Sequence, residues 1–252
     1  MFRPRIIPVL LIQKNVLVKS VRFAKHRYIG DPLNAVRIFN EHHADELVLL
    51  DIDATRQKRC ISPALVQNIS EETDMPLAVG GGICTIQQVK ELIAAGAEKV
   101  IVGSAAYKNE TFISEVVHVF GSASITVCMD VAKNWLGKER VYINNGSVST
   151  NCSPENFAEK IELLGAGELI VQCVTNDGIM EGYNIDLLKR IAAITRLPLV
   201  ALGGAGSIKD LKEGHEKGMA TGLAAGSLFV YRDSNRGVLI NYPGNVKLIT
   251  DD

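Results

Sequence analysis

The chain has 252 residues, is 47% hydrophobic and 6% aromatic, and sets 27 basic against 28 acidic side chains for a net charge of −1. That length buries a full core in one domain, 1–252, and the even charge balance without Lys/Arg runs excludes the electrostatic footprint of a nucleic-acid or anionic-membrane binder, leaving a small-molecule substrate. Five cysteines, an odd number, lie far apart with no C-x-x-C pair and read as reduced, mostly buried thiols.

From the N-terminus, Arg3 and Arg5 precede an apolar run over 6–12 that is short and has no small-residue cleavage site. It reads as a strand, not a signal peptide, and the protein as cytoplasmic. Further β-branched runs follow at 47–52, 77–79, 100–102, 125–129, 169–171 and 199–202, each predicted to be a buried parallel strand. Stretches with helical spacing alternate with them, at 32–43, 63–73, 85–95, 154–164, 185–194 and 208–217. Gly96 and Gly165 stand where a helix-ending left-handed residue is needed. Between the fifth strand and the next helix, 133–151 predicts a small hairpin, with Val141-Tyr142-Ile143 before Asn145-Gly146. The segment 23–30 has the character of a lid, and an atypical tail begins near 230.

The sequence repeats itself weakly. Pro76-Leu77-Ala78-Val79-Gly80-Gly81-Gly82 resembles Pro198-Leu199-Val200-Ala201-Leu202-Gly203-Gly204, and Ala44-Asp45-Glu46-Leu47 resembles Ala166-Gly167-Glu168-Leu169, both at a separation of 122 positions. Two duplicated four-unit halves close into eight strands, whereas an open dinucleotide-binding sheet usually has six, so the expected fold is a single α/β (β/α)8 TIM barrel with half-barrel duplication.

In such a barrel, polar residues after the strands face the active end. These are Asp51, Asp53, Ser104, Asp130, Gln172 and Asp177. The clusters Gly80-Gly81-Gly82 and Gly203-Gly204-Ala205-Gly206 each lie between a strand and a helix, where bare amides can face an anion; the competing reading is a pair of tight turns. Asp130 closes the run Ile125-Thr126-Val127-Cys128-Met129, whose apolar character raises a carboxyl pKa toward proton transfer; a loop-capping role is the alternative. Arg5, Glu46, Lys99 and Glu168 stand at strand starts, where opposite charges can close the barrel bottom. No metal-ligand cluster or cofactor motif is present in the pattern.

These motifs, with Arg5-Ile6-Ile7-Pro8, Gly30-Asp31-Pro32, Leu50-Asp51-Ile52, Lys99-Val100 and Gly165-Ala166-Gly167-Glu168, resemble the HisF family, the cyclase subunit of imidazole glycerol phosphate synthase, to about Phe229. The resemblance implies that ammonia from a HisH-type glutaminase enters through a gate formed by Arg5, Glu46, Lys99 and Glu168 and meets a phosphorylated small molecule. It implies phosphate contacts at Gly81, Gly82, Ser104, Gly178, Gly203, Gly204, Ala225 and Gly226, and a pocket that includes Lys19, Asp51, Asp53, Gln172 and Asp177. The family uses two strand-end aspartates; Asp130 matches one, and Leu11 stands in place of the other. Gly103, Ile179 and Leu202 also depart from the family's asparagine, threonine and serine.

A leucine transfers no proton, and losing one partner of an acid/base pair costs on the order of 10²-fold or more in rate. The tail from Asn235 to Pro243 resembles HisF paralogues tied to acetamidino sugars of bacterial surface polysaccharides, where the barrel is thought to pass ammonia to an ATP-dependent sugar amidotransferase. The leading expectation is therefore an ammonia-channelling subunit for amidination of a nucleotide-sugar. A cyclase of histidine biosynthesis, a lyase, is the first alternative, and a non-catalytic sugar-phosphate scaffold the second.

Overall fold

A computed structural model describes residues 3–232 and 236–243. The first half runs β1 (Arg5–Gln13), β2 (Val16–Val21), β3 (Ala24–Gly30), α1 (Pro32–Glu41), β4 (Leu47–Asp51), α2 (Pro63–Ser70), β5 (Leu77–Gly80), α3 (Ile86–Ala94), β6 (Lys99–Val102), α4 (Ser104–Lys108) and α5 (Phe112–Phe120). The second runs β7 (Ile125–Lys133), β8 (Glu139–Ile143), β9 (Val148–Ser149), α6 (Pro154–Leu163), β10 (Glu168–Cys173), α7 (Ile185–Ala192), β11 (Leu199–Leu202), α8 (Ile208–Glu216), β12 (Gly222–Ala225) and α9 (Ser227–Val230). Strands β1, β4, β5, β6, β7, β10, β11 and β12 pair in parallel in that order, and β12 returns to β1. The result is a closed (β/α)8 TIM barrel.

Helix starts carry the repeat as clearly as the strands do. Asp31 and Ser153 each cap a helix whose first residue is proline, Ser62 and Asn184 each cap the next, and Thr85 and Ser207 each form a capping box, every pair 122 positions apart. Oxygen acceptors at these positions satisfy amides that the first helical turn leaves without partners.

Side chains alternate across each strand. One face, with Ile6, Leu10, Leu49, Val79, Val127 and Leu169, packs under the helices; the other, with Ile7, Val9, Val48, Ala78, Ile101, Ile170 and Val200, fills the barrel interior.

Several expectations change. The eighth strand, β12, was not predicted, because Gly-Leu-Ala-Ala has no β-branched residue to mark it. Within the lid-like segment 23–30, residues 24–30 form β3, paired antiparallel with β2. The predicted hairpin is present, and its first strand, β8, also pairs with the extended end of β7. Of the thiols only Cys173 is buried; Cys84 is exposed and the other three are partly covered.

The tail contains no helix over 236–243; Asn235 and residues 244–252 lie outside the described residues. Tyr231 bridges to Val238, and Tyr242 is buried against Phe39 and Phe229 while its hydroxyl donates to the Ile6 carbonyl at 3.2 Å. Among the described residues no helix is long and apolar enough to cross a membrane.

Candidate active site

The inward columns of the strands explain the site's layers. On β1 they are Arg5, Ile7, Val9 and Leu11; on β7, Thr126, Cys128 and Asp130; on β10, Glu168, Ile170 and Gln172. A charged layer thus lies at the strand starts, an apolar layer in the middle and a mixed layer at the strand ends.

At the bottom, Arg5 reaches Glu46 with one terminal nitrogen and Glu168 with the other. Lys99 donates to Glu46 at 3.2 Å and to Glu168 at 3.4 Å, so the four residues expected as a gate do form one ring. Thr126, which the sequence reading passed over, joins it through Glu168 at 3.5 Å; its place on the inward column of β7 was the available signal. Burial pushes the Glu46 carboxyl up against the pull of Lys99 and Arg5, and the two glutamates outweigh desolvation to hold Arg5 above its ordinary value. A buried ring of this kind lasts only while every charge has its partner.

At the top, an open pocket is lined by Leu11, Lys19, Gln172, Asp177, Gly178, Leu202, Gly203, Gly204, Ala205, Ala225 and Gly226, with Val9 and Ser227 not anticipated. Gly203 and Gly204 take positive φ, 93° and 117°, and a Cβ on Gly204 would meet the Gly182 carbonyl at 2.1 Å. Gly226 makes room for the Lys19 ammonium, which a Cβ there would meet at 1.9 Å. Lys19 and Asp177 are both buried; burial pulls the lysine down and the aspartate up, and their mutual attraction opposes this. Ser20 and Gln172 donate to Asp177 at 3.1 and 3.5 Å, fixing the carboxylate.

The first glycine cluster is arranged differently. Gly81 and Gly82 do not line this pocket; a Cβ on Gly82 would meet the Arg59 carbonyl at 1.8 Å. Ser104, at the start of α4, accepts the Asn144 N–H at 2.8 Å, and Asn145 donates to the Ile52 carbonyl, so the β8–β9 turn rests on this side of the mouth. Asp51 and Asp53 are likewise engaged away from the pocket. Asp51 accepts the Asp53 and Ala54 amides at 3.0 and 3.1 Å and pairs with Arg59 at 2.5 Å, while Asp53 pairs with Arg56 and Gln13.

Asp130 faces inward opposite Gln172, with Cys128 donating to it at 3.8 Å. Burial raises its pKa to about 7, the Cys128 contact opposes the rise, and Asp177 adds to it. A carboxyl titrating there can hold or release a proton near neutrality. Leu11 pairs with Leu50 as Asp130 pairs with Gln172, and Leu50 and Gln172 are 122 positions apart. Leu11 therefore occupies the place of Asp130 in the other half.

Residues 5–235 match the model of a family described as histidine biosynthesis protein. A putative imidazole glycerol phosphate synthase subunit HisF of Leptospira interrogans is 44% identical over 244 residues, covering 96% of both chains. A putative subunit of the same synthase from Pseudomonas aeruginosa is 40% identical over 98% of this chain and 99% of its own. The HisF subunit of Alkaliphilus metalliredigens is 37% identical over 92% of each. The chain belongs to the HisF family. This HisF barrel has the charged ring at its bottom, the second glycine cluster and Asp130 at its top, and a hydrocarbon side chain at position 11.

Proposed function

We propose that this HisF barrel is the ammonia-accepting subunit of a glutamine-dependent complex of the imidazole glycerol phosphate synthase kind, paired with a HisH-type glutaminase and acting as the cyclase, a lyase of histidine biosynthesis. One observation carries the reading: a ring of Arg5, Glu46, Lys99 and Glu168 at one end of an apolar interior whose other end opens on a glycine-lined pocket beside Asp130. The names of the relatives at 37–44% identity support it. In this role the ring passes ammonia, Gly178, Gly203, Gly204, Ala225 and Gly226 hold a phosphate, Lys19 neutralises it, and Asp130 moves the proton. Gly81, Gly82 and Ser104 hold a second phosphate once the β8–β9 turn lifts.

Leu11 favours a second reading. With one carboxyl where the family uses two, the barrel delivers ammonia to a separate ATP-dependent amidotransferase that amidinates a nucleotide-sugar in surface-polysaccharide synthesis. Cyclase turnover with the two-phosphate aminoimidazole precursor and free ammonium separates the two. Turnover by the natural chain supports the first. Activity only after Leu11→Asp, together with binding to a glutaminase, supports the second; absence of any glutaminase binding overturns both and leaves a sugar-phosphate scaffold.

A further inference from the structure

An arginine of the tail reaches the pocket from outside the barrel. Arg236, in left-handed backbone with φ 58°, donates from Nη2 to the carbonyl of the pocket residue Gly178 at 3.1 Å. Its guanidinium lies 5.9 Å from the centre of the buried Tyr231 ring. Arg27 of β3 approaches the same ring at 6.0 Å and donates to the Arg236 carbonyl at 3.0 Å. Arg27 is also the direct cross-strand partner of Lys19.

Among the described residues Lys19 lines the pocket and Arg27 and Arg236 lie just outside it on the Gly178 side, while the carboxylate of Asp177 already serves Lys19, Ser20 and Gln172. Like charges placed directly opposite one another in an antiparallel pair repel. Stacking two cations on one aromatic ring offsets little of that repulsion at an exposed site. A guanidinium offers five donors in a rigid fork, of which the Gly178 carbonyl takes one. An anion entering beside Gly178 would meet the other donors of that fork.

We propose that Arg236 is an anion-positioning residue of this pocket, which with Arg27 takes the outer phosphoryl group of a diphosphate whose inner group lies on Gly203, Gly204 and Gly226, a site separate from the one assigned above to Gly81, Gly82 and Ser104. This rests on reading the glycine-lined pocket as a phosphate site.

The test is calorimetric titration of the full chain with orthophosphate and with pyrophosphate. The natural protein should prefer pyrophosphate by about tenfold or more, the increment of one charge-assisted, forked contact. Arg236→Met should remove most of that preference and leave orthophosphate affinity within about twofold, Arg236→Lys should restore part of it as a point charge, and Arg232→Met, on an exposed side chain, should change neither. An Arg236→Met protein that melts like the natural one and keeps the preference overturns the proposal. So does a proportional loss of both affinities, which would make Arg236 a prop for Gly178. If orthophosphate fails to bind the natural chain, the phosphate reading of the pocket falls, and the proposal with it.

Discussion

Glu46 in the first half of the barrel and Glu168 in the second stand at the same place in the repeat and close the same ring. Leu11 and Asp130 are matched in register just as closely, yet one presents a hydrocarbon branch to the mouth and the other a carboxyl. The glycine clusters differ in the same sense: the second lines an open pocket, while the β8–β9 turn rests beside the first. Both cations of the ring, Arg5 and Lys99, belong to the first half. Under the proposed function the duplicated frame carries a division of labour, with the first half supplying the ring's cations and Lys19, and the second the proton-moving carboxyl and the glycines of the anion pocket.

The largest expected effect tests that division directly. Asp130→Asn should lower ammonia-dependent turnover by on the order of 10²-fold or more. Leu11→Asp restores the missing partner and should raise cyclase turnover; a fall would show that the first half has lost more than its carboxyl. Next come the glycines. Gly82→Ala and Gly204→Ala both place a methyl group on a backbone carbonyl at positive φ, and each should lower the melting temperature. Orthophosphate affinity should fall by about tenfold or more in Gly204→Ala alone, since only that glycine lines the open pocket. Equal losses of affinity would erase the distinction between the halves.

A third comparison uses pH. The folded-state pKa of Asp130, about 7, lies above its unfolded value, so the folded chain keeps a proton that the unfolded chain releases between about pH 4 and 7. The stability contribution of this group is present below that window and is lost as pH rises through it. Asp130→Asn should melt above the natural protein beyond pH 7, with the gap narrowing toward pH 4; a gap that widens in acid would refute the burial of the carboxyl. The smallest effect is expected at the tail, where Tyr242→Phe removes the hydrogen bond to the Ile6 carbonyl and should cost about 1 kcal/mol in denaturant titration.

Much of the frame was legible because local signals and long-range order agree. Asp31-Pro32, Ser153-Pro154, Thr85 and Ser207 announce helix starts by chemistry that acts over three or four residues. The ring was legible because period-two alternation puts strand-start charges on the inward face. The eighth strand was not, since Gly222-Leu223-Ala224-Ala225 becomes a strand by pairing with both β11 and β1 and not by its own preference. The loss of Asp51 and Asp53 from the pocket was equally hidden, because Arg59 and Arg56 compete for them across short loops. Arg236 meets Gly178 at a sequence distance of 58 positions, beyond the reach of any local pattern.

Tyr242 bears on how the barrel comes apart. Every seam between neighbouring strands needs cover from outside, and at the β12–β1 seam the cover between α1 and α8 includes, among the described residues, the four-residue α9 and an extended strap whose aromatic ring lies against Phe39 and Phe229. A cover built from so few contacts releases earlier than a packed helix. Amide hydrogens along Arg5–Pro8 and Gly222–Ala225 should exchange with solvent before those of β4 or β10, making this seam the hinge of first local opening.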